Sequence, residues 1–318
     1  MSLANIYTDY ALKLHTKTAQ AGAAAYVDGI QSQGLNTNLQ TLVEGGDGAL
    51  YNTFGSLVSG APVARFASND LKTVLDGCGL EGMLIDTDGT HPGVVMYFDR
   101  YVAGGTRGTA AQATSVTFGT GRMVLRTLEL MHRGAGGTIS CDVHGYSATG
   151  VSPIAFNEAD TVPAAAYPSV SVAWNLGKII FNAEVMVGAE RASIDFGVGI
   201  FSEARDGDVY PSVLSIQRIQ PTITITGAEI DDTSWLTESG VNYTATQVVF
   251  YGRKKSEGGT FVADGTAEHI KFTLGKCRVD PISIEGDPKS LTLRITPWYT
   301  AAGTPVSPIA INTASAIT

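Results

Sequence analysis

Cysteine is scarce in this chain, and so are the signals for secretion or membrane insertion. The 318 residues contain three cysteines, Cys78, Cys141 and Cys277, and no CxxC pair. An odd number without paired spacing argues against a disulfide framework and favours synthesis in a reducing cytoplasm. The N-terminus has no basic segment followed by an apolar core, and no apolar run approaches the ~20 residues that span a bilayer. We therefore expect neither a signal peptide nor a membrane span.

Positive charge is also in short supply. The chain has 21 Lys and Arg against 30 Asp and Glu, a net charge of −9. Both halves are acidic: residues 1–159 have 9 Lys and Arg and 13 Asp and Glu, and residues 160–318 have 12 and 17. A module that binds nucleic acid tightly needs clustered positive charge, so neither half fits that class, although an acidic wall suits DNA that must pass without sticking. The one basic cluster, 253–255, is predicted to be a solvated hairpin tip; the alternative is a contact with an acidic patch on an adjacent subunit.

The motifs of catalysis and metal binding are missing as well. The five histidines show no HExxH or paired spacing, and Asp86-x-Asp88-Gly89 lacks the later ligands of a calcium loop. There is no G-x-S-x-G elbow, no Walker sequence and no G-x-G-x-x-G before a helix. A carboxylate pair for glycoside hydrolysis stays open, because sequence does not place acidic residues in space. We expect no enzyme activity, no metal and no cofactor.

What the chain does contain is a repeat. Three features recur 159 residues apart, half of the chain length: Asp47-Gly48 and Asp206-Gly207, Tyr51 and Tyr210, Pro62 and Pro221. The string V-S-P-I-A-x-N occurs at 151–157 and again at 306–312. A third group matches at an offset of 154: Gly-Gly-Thr at 104–106 and 258–260, Phe118 and Phe272, Gly121 and Gly275. Several motifs holding this spacing predict two tandem copies of one fold, at 1–160 and 161–318, joined by a short linker near 162–168.

Most segments alternate between apolar and polar residues with period two, which is typical of half-buried antiparallel strands. The expected strands are 94–101, 115–118, 138–144, 169–174, 178–187, 193–201, 221–226, 247–251, 269–274 and 290–295. Many short strands with glycine-rich turns predict a mainly β fold, a sandwich or barrel in each half.

One helix is expected in the first half. Ser68 is placed at its N-cap and Asp70 in its first turn, and Leu71, Val74 and Leu75 share a face. Residues 231–236 are the matching stretch of the second half and predict a shorter helix. Residues 125–131 are compatible with either a helix or a strand.

The Asp-Gly pairs are the best-matched feature of the repeat, and two interpretations are open. The plain one is a tight turn kept in both copies, since glycine allows a positive φ. The other is that each pair opens a long excursion that contacts a neighbouring subunit, because the intervening residues are apolar for a free loop. The candidate contact residues are Asp47, Gly48, Tyr51, Phe54, Leu57, Pro62, Asp206, Gly207, Tyr210 and Pro221.

Several strings resemble a known family. In the second half these are S-I-D-F-G-V-G at 193–199, D-G-D-V-Y-P-S at 206–212 and I-Q-P-T-I at 219–223. In the first half they are V-D-G-I at 27–30, G-D-G at 46–48, Pro62 and N-D-L-K at 69–72. Together they look like the major tail tube proteins of tailed bacteriophages, and the similarity covers most of the chain with loose motifs.

The resemblance implies a β-sandwich with a flanking helix and a long loop, assembling as stacked rings around a channel. A duplicated chain of this type forms a homotrimer with a pseudo-six-fold ring, in which inner strands join across subunits and the Asp-Gly excursions make ring-to-ring contacts. The expected protein is then a structural virion component of a long-tailed phage, assembled in the host cytoplasm. Its tube would house a tape-measure protein and conduct DNA.

Two rival functions remain. A tandem β-sandwich binding module, for glycans or a host receptor at a tail tip, predicts exposed aromatic clusters, with Trp174, Trp235 and Trp298 as candidates. The plainer interpretation, which we prefer, is that these residues are core or interface anchors. A hydrolase on a similar scaffold requires one copy to hold a site that the other lacks, and none is evident.

Overall fold

The computed structural model describes residues 6–14, 25–27, 29–44, 54–85, 93–102, 113–134, 136–163, 173–205, 207–228, 240–244, 248–256, 259–285, 290–298 and 307–318. These residues form 24 strands and one helix, so the expectation of a mainly β chain is confirmed. In the first half the elements are β1 (Ile6–Leu14), β2 (Ala25–Val27), β3 (Ile30–Asn36), β4 (Gln40–Glu44), β5 (Phe54–Ser59), β6 (Val63–Ser68), α1 (Leu71–Gly77), β7 (Met83–Ile85), β8 (Val94–Val102), β9 (Ala113–Phe118), β10 (Gly121–Met131), β11 (Thr138–Gly145) and β12 (Ile154–Asp160). In the second half they are β13 (Ala173–Phe181), β14 (Glu184–Val185), β15 (Ala189–Asp195), β16 (Val198–Glu203), β17 (Val213–Ile219), β18 (Thr222–Ala228), β19 (Val241–Tyr243), β20 (Val248–Lys255), β21 (His269–Leu274), β22 (Lys276–Glu285), β23 (Ser290–Trp298) and β24 (Ile309–Ser315).

The strands form three large antiparallel sheets and two hairpins. One five-stranded sheet has the order β12-β9-β8-β1-β2, and the other has β14-β13-β20-β21-β24. The ten-stranded sheet runs β19-β22-β23-β18-β15-β10-β11-β6-β3, with β7 paired to β10. It therefore contains strands from both halves of the chain. The hairpins β4-β5 and β16-β17 stand apart from these sheets.

Alternation in the sequence decides which face of the long sheet is buried. In β18 the residues Ile223 and Ile225 are fully buried, while Thr222, Thr224 and Thr226, which alternate with them, are half-buried. A row of directly paired residues crosses the sheet on the core side: Leu128, Ile194, Ile223, Ile295 and Val279. The core cluster that contains this row also contains residues of both five-stranded sheets, such as Phe118 and Phe250.

The helix lies where the sequence predicts it, with one change at its start. Asp70 is the N-cap: its carboxylate accepts from the Thr73 N–H at 3.2 Å. Ser68 lies in β6, and its hydroxyl accepts from the Asp70 N–H at 2.9 Å. The prediction that Ser68 caps the helix and Asp70 occupies its first turn is therefore wrong by two residues. The buried face of Leu71, Val74 and Leu75 is confirmed.

Other boundaries also differ from the predictions. Residues 125–131 belong to strand β10, which excludes the helical alternative. The expected strand at 178–187 is divided by a turn at Asn182 and Ala183, and the one at 193–201 by a turn at Gly197, which has a φ of +57°. A β-carbon at Gly197 would lie 2.0 Å from the Gln220 carbonyl oxygen, so no other residue fits this turn without movement. The expected helix at 231–236 lies outside the described residues.

Two strand pairs in each half have register shifts at matching positions. In β3-β6 the register shifts between Ile30 and Ser32, and in β15-β18 it shifts between Ala189 and Arg191, 159 residues later. The hairpins β4-β5 and β16-β17 have shifts between residues 40 and 41 and between 199 and 200, again 159 apart. β-Bulges are set by local sequence and geometry, so matching positions indicate matching local structure.

Strand pairing also shifts the matches that were expected at an offset of 154 residues. Ile154 of the first V-S-P-I-A string pairs with Phe118, whereas Ile309 of the second pairs with Leu274. The structure therefore aligns Phe118 with Leu274, two residues beyond the expected Phe272. The same two-residue change appears in the next strands, because the β10-β11 bulge lies between Leu125 and Thr127 and the β22-β23 bulge lies between Pro281 and Ser283.

Candidate assembly surface

The junction between the halves is a strand pair. The C-terminal part of β10 pairs antiparallel with β15, from Thr127 opposite Asp195 to Met131 opposite Arg191. Two backbone bonds extend this ladder: the Phe196 N–H donates to the Arg126 carbonyl at 2.9 Å, and the His132 N–H donates to the Glu190 carbonyl at 2.7 Å. The Arg191 guanidinium also donates to Glu129 at 2.8 Å. The long sheet is therefore continuous from one half to the other.

The two ends of this sheet are open in the described part of the chain. β3 is the last strand at one end. At the other end β19 pairs only with Cys277, Arg278 and Val279 of β22, which leaves residues 280–285 of β22 without a described strand on that side. An open strand edge presents free N–H and C=O groups to another chain unless it is blunted or covered.

Apolar side chains lie beside the open part of β22. Ile284 is 60% exposed although it lies on the core side of the sheet, directly opposite the fully buried Leu291. Leu128 follows the bulge of β10 by the same number of residues as Ile284 follows the bulge of β22, and Leu128 is 0% exposed. Ile282 is also exposed. These isoleucines lie next to a strand edge that has no partner among the described residues, so we treat this surface as a candidate contact for another chain.

The outer face of the long sheet is polar and rich in serine and threonine. Members of this face on the central strands are Thr127, Ser140, Ser193, Thr222, Thr224, Thr226, Thr292 and Thr296. Several of its charged groups form ion pairs: Arg65 and Arg126 share Asp142, at 3.2 and 3.4 Å, and Arg278 pairs with Asp280 at 2.7 Å. Hydroxyls and ion pairs give a polar surface on which carboxylates offset part of the positive charge, and Arg294 is also exposed there.

His144 lies beside the Asp142 cluster. Burial of the ring lowers the pKa of His144 below its ordinary value of 6.5, Asp142 acts in the opposite direction, and Arg126 and Arg65 add to the lowering. The two arginines are exposed while Asp142 is almost fully buried, so the carboxylate is the group that depends on its partners. The cluster ties β6, β11 and β10 together on the outer face.

The predicted contact residues fall into three groups. Asp47, Gly48, Tyr51 and Asp206 lie outside the described residues. Phe54 and Leu57 lie in β5, and Leu57 is half-buried, while Pro62 and Pro221 are buried residues just before β6 and β18. Gly207 is exposed with a φ of +80°, which is the positive value that the turn interpretation requires.

Tyr210 lies in the excursion of the second half, and it contacts the other half of the same chain. The Gly60 N–H donates to the Val209 carbonyl at 2.8 Å, and the Ser147 N–H donates to the Pro211 carbonyl at 2.7 Å. A β-carbon on Gly60 would lie 3.0 Å from the Tyr210 ring. Glycine at position 60 therefore lets residues 207–212 of the second half dock against the first half.

The hairpins beside this contact carry exposed apolar residues. Leu42, Val43 and Val58 of β4-β5 and Phe201 of β16-β17 are exposed. They were not among the predicted contact residues, although the apolar character of 54–58 pointed to the same region. Ile282 and Ile284 were also missed; their signal is the apolar pair in the string P-I-S-I, which continues a strand past its last described partner.

The basic cluster has partners within the chain. Residues 253–255 belong to β20, so the predicted hairpin tip is wrong. Arg253 lies 3.0 Å from Asp264, and Lys254 lies 2.5 Å from Glu268. His269 is fully buried: its Nδ1 accepts from the Lys254 N–H at 3.1 Å, which makes it a structural histidine. These pairings leave little reason to invoke an acidic patch on another subunit.

Cysteine, tryptophan and metal-ligand residues give no separate site in the described part of the chain. The three cysteines are free and buried, and burial raises the pKa of the Cys277 thiol to about 12. Trp174 is buried, Trp298 is 38% exposed at the end of β23, and Trp235 lies outside the described residues. No group of three His, Cys, Asp or Glu side chains among the described residues could hold a metal ion. No described helix is long and apolar enough to cross a membrane.

No protein-family model matches this chain, and no curated protein matches it.

Proposed function

We propose that this chain is the repeated building block of a phage tail tube. Two tandem tail-tube domains, at 1–160 and 161–318, each form a β-sandwich, and three chains form a pseudo-six-fold ring. The rings stack into a virion tail that houses a tape-measure protein and conducts DNA without binding it. Assembly takes place in the host cytoplasm, and the protein performs no catalysis.

The β10-β15 junction carries the proposal. It joins two half-chains with matching bulge positions into one antiparallel sheet, which is the contact that a ring of such domains requires at every step. The ends of the sheet remain open in the described residues, so the chain offers one finished junction and the two halves of another. A contact between different surfaces repeats around a ring until it closes.

The number of strands supports a channel. Leaving aside the short strands β7 and β19, each chain contributes eight strands to the long sheet, so three chains contribute 24. Barrels of 16 to 18 strands already enclose an aqueous channel. With the core side of the sheet packed against the five-stranded sheets, the serine- and threonine-rich face is left to line this channel. Its hydroxyls and ion-paired side chains suit DNA in transit.

The binding-module alternative has weaker support. It requires clustered exposed aromatic side chains, whereas Trp174 is 1% exposed and packs in the core. The hydrolase alternative has no supporting cluster of catalytic groups among the described residues.

Electron microscopy of the purified chain tests the proposal. Negative-stain images at rising protein concentration, and after mixing with tail-tip components, are expected to show rings and tubes of constant diameter. A chain that stays monomeric under all of these conditions contradicts the proposal. An electrophoretic mobility assay at physiological salt is expected to show no stable complex with duplex DNA.

A further inference from the structure

We propose that residues 283–285 of β22 pair antiparallel with residues 34–36 of β3 in a second copy of this chain. The inference rests on the proposed function, which requires a contact between chains, and it adds the strands, their register and an ion pair. The partner is a second copy because the chain already contains the same contact between its own halves, at β10 and β15.

The register follows from the two bulges. Thr127, Leu128 and Glu129 follow the bulge in β10 as Ser283, Ile284 and Glu285 follow the bulge in β22. Strands β3 and β15 have bulges at matching positions. Counting from these bulges, Asn36, Leu35 and Gly34 of β3 correspond to Asp195, Ile194 and Ser193 of β15. The pairs Thr127–Asp195, Leu128–Ile194 and Glu129–Ser193 therefore become Ser283–Asn36, Ile284–Leu35 and Glu285–Gly34 between chains.

Burial supports this register. Leu128 and Ile194 are each 0% exposed at the finished junction. Their counterparts are Ile284, which is 60% exposed, and Leu35, which is only partly buried. Placing Leu35 opposite Ile284 removes apolar surface of both side chains from water, and cross-strand apolar pairs stabilise sheets. A shift of one residue would turn these side chains to opposite faces.

Charge and shape also fit at the third pair. Gly34 has no atom within 4 Å of an added β-carbon, and the open space beside it is part of a cavity of about 390 Å³ lined by Leu35, Asn36, Arg65 and His144 among others. Arg65 of β6 lies directly opposite Gly34. Glu285, placed on the other side of Gly34, has a clear path across the glycine to the exposed Arg65 guanidinium, whose fork can bind a second carboxylate besides Asp142.

The junction between chains is shorter than the one within the chain. Strand β10 continues to Met131, whereas β22 already ends at Glu285 and the next strand, β23, begins at Ser290. Five residue pairs at the internal junction thus become three between chains. The Glu129–Arg191 pair has no counterpart, because Ser32 stands at the place of Arg191, and the Glu285–Arg65 pair takes over its role.

Disulfide trapping tests the register. Directly opposed residues have Cα atoms about 4.5–5.5 Å apart, which is within disulfide range. The double variant Ser283→Cys with Asn36→Cys is oxidised at assembling concentration and resolved on a non-reducing gel. Covalent trimers are expected, while each single variant stays monomeric. The matched control, Ser283→Cys with Leu35→Cys, is one residue out of register and is expected to stay monomeric as well.

A second variant tests the ion pair. Glu285→Lys is expected to raise the concentration needed for half-assembly at least about fivefold, since attraction to Arg65 becomes repulsion. The control Glu81→Lys makes the same charge change at an exposed turn after α1, and it is expected to leave assembly unchanged.

The outcomes separate the two proposals. Rings or tubes without trapping at 283 and 36, or with stronger trapping in the control pair, overturn the register and leave the tube function standing. Trapped trimers that never stack into tubes support the strand pairing and contradict the tube function. A chain with no rings, no tubes and no trapping contradicts both.

Discussion

Leu128 and Ile284 occupy matching places beside matching bulges, and truncating each of them to alanine separates folding from assembly. Leu128 is fully buried inside the chain, so Leu128→Ala is expected to lower the free energy of unfolding by about 2–5 kcal/mol. Ile284 is 60% exposed in the free chain, and Ile284→Ala is expected to cost that chain less than about 1 kcal/mol.

The effect of Ile284 on assembly follows from the surface that it still exposes. Full burial of an isoleucine side chain is worth about 1.5–3 kcal/mol. Covering the 60% that is exposed is then worth about 1–2 kcal/mol per junction, or about a 5- to 30-fold change in the association constant. Ile284→Ala should weaken assembly by that factor.

Urea denaturation at low protein concentration measures the free energy of unfolding, and sedimentation across a concentration series measures the association constant. The two variants are compared with the parent chain in both assays. Equal loss of chain stability in the two variants, with assembly unaffected by Ile284→Ala, would refute the claim that a strand of a second chain covers Ile284.

Three further predictions concern the chain itself. Gly197→Ala is expected to lower the free energy of unfolding by about 1–3 kcal/mol, because its β-carbon meets the Gln220 carbonyl at a positive φ; Gly275→Ala, with open space around it, is the neutral control in the same thermal melts. Because the folded-state pKa of His144 lies below 6.5, its neutral ring contributes stability that is present above pH 6.5 and lost as the pH falls through the lowered pKa. Urea midpoints between pH 5 and 8 should show that loss, and His144→Gln should flatten it; an unchanged slope in the variant would assign the loss to other groups. Cys141 and Cys277, whose thiol pKa values are raised by burial, should stay unreactive toward a disulfide reagent at pH 8 until urea unfolds the chain, and rapid labelling of the native protein would contradict their placement.

The sequence predicted part of the strand content of this chain, because alternation with period two depends on local residues. The expected strands did not include β1 to β6, β17, β22 or β24. Ile223 and Ile225 illustrate this alternation, since both lie on the buried side of β18 and Thr222, Thr224 and Thr226 alternate with them. The helix was predictable for a similar reason: its apolar face and Asp70 lie within one short segment. The exact cap was not, because Ser68 and Asp70 are both good capping residues and the choice depends on where β6 ends.

The assembly surface was harder to predict because strand partners are distant in sequence. Nothing local identifies Thr127 as a neighbour of Asp195, or leaves Ile284 beside an open edge. Apolar residues in the excursions indicated a contact, but the contact described for Tyr210 is with the first half of its own chain. The repeat gave the correct offset where no insertion intervened, in β3-β6 and β4-β5. It was wrong by two residues at Phe118, because the sequence match was with Phe272 whereas strand pairing aligns Phe118 with Leu274.

A reconstruction of the assembled protein by electron cryomicroscopy tests the central claim most directly. It is expected to show rings of three chains with six similar domains, in which β3 of each chain continues the sheet of its neighbour at residues 283–285. Rings of six chains, or rings in which the edge of β3 remains open to solvent, would contradict the account.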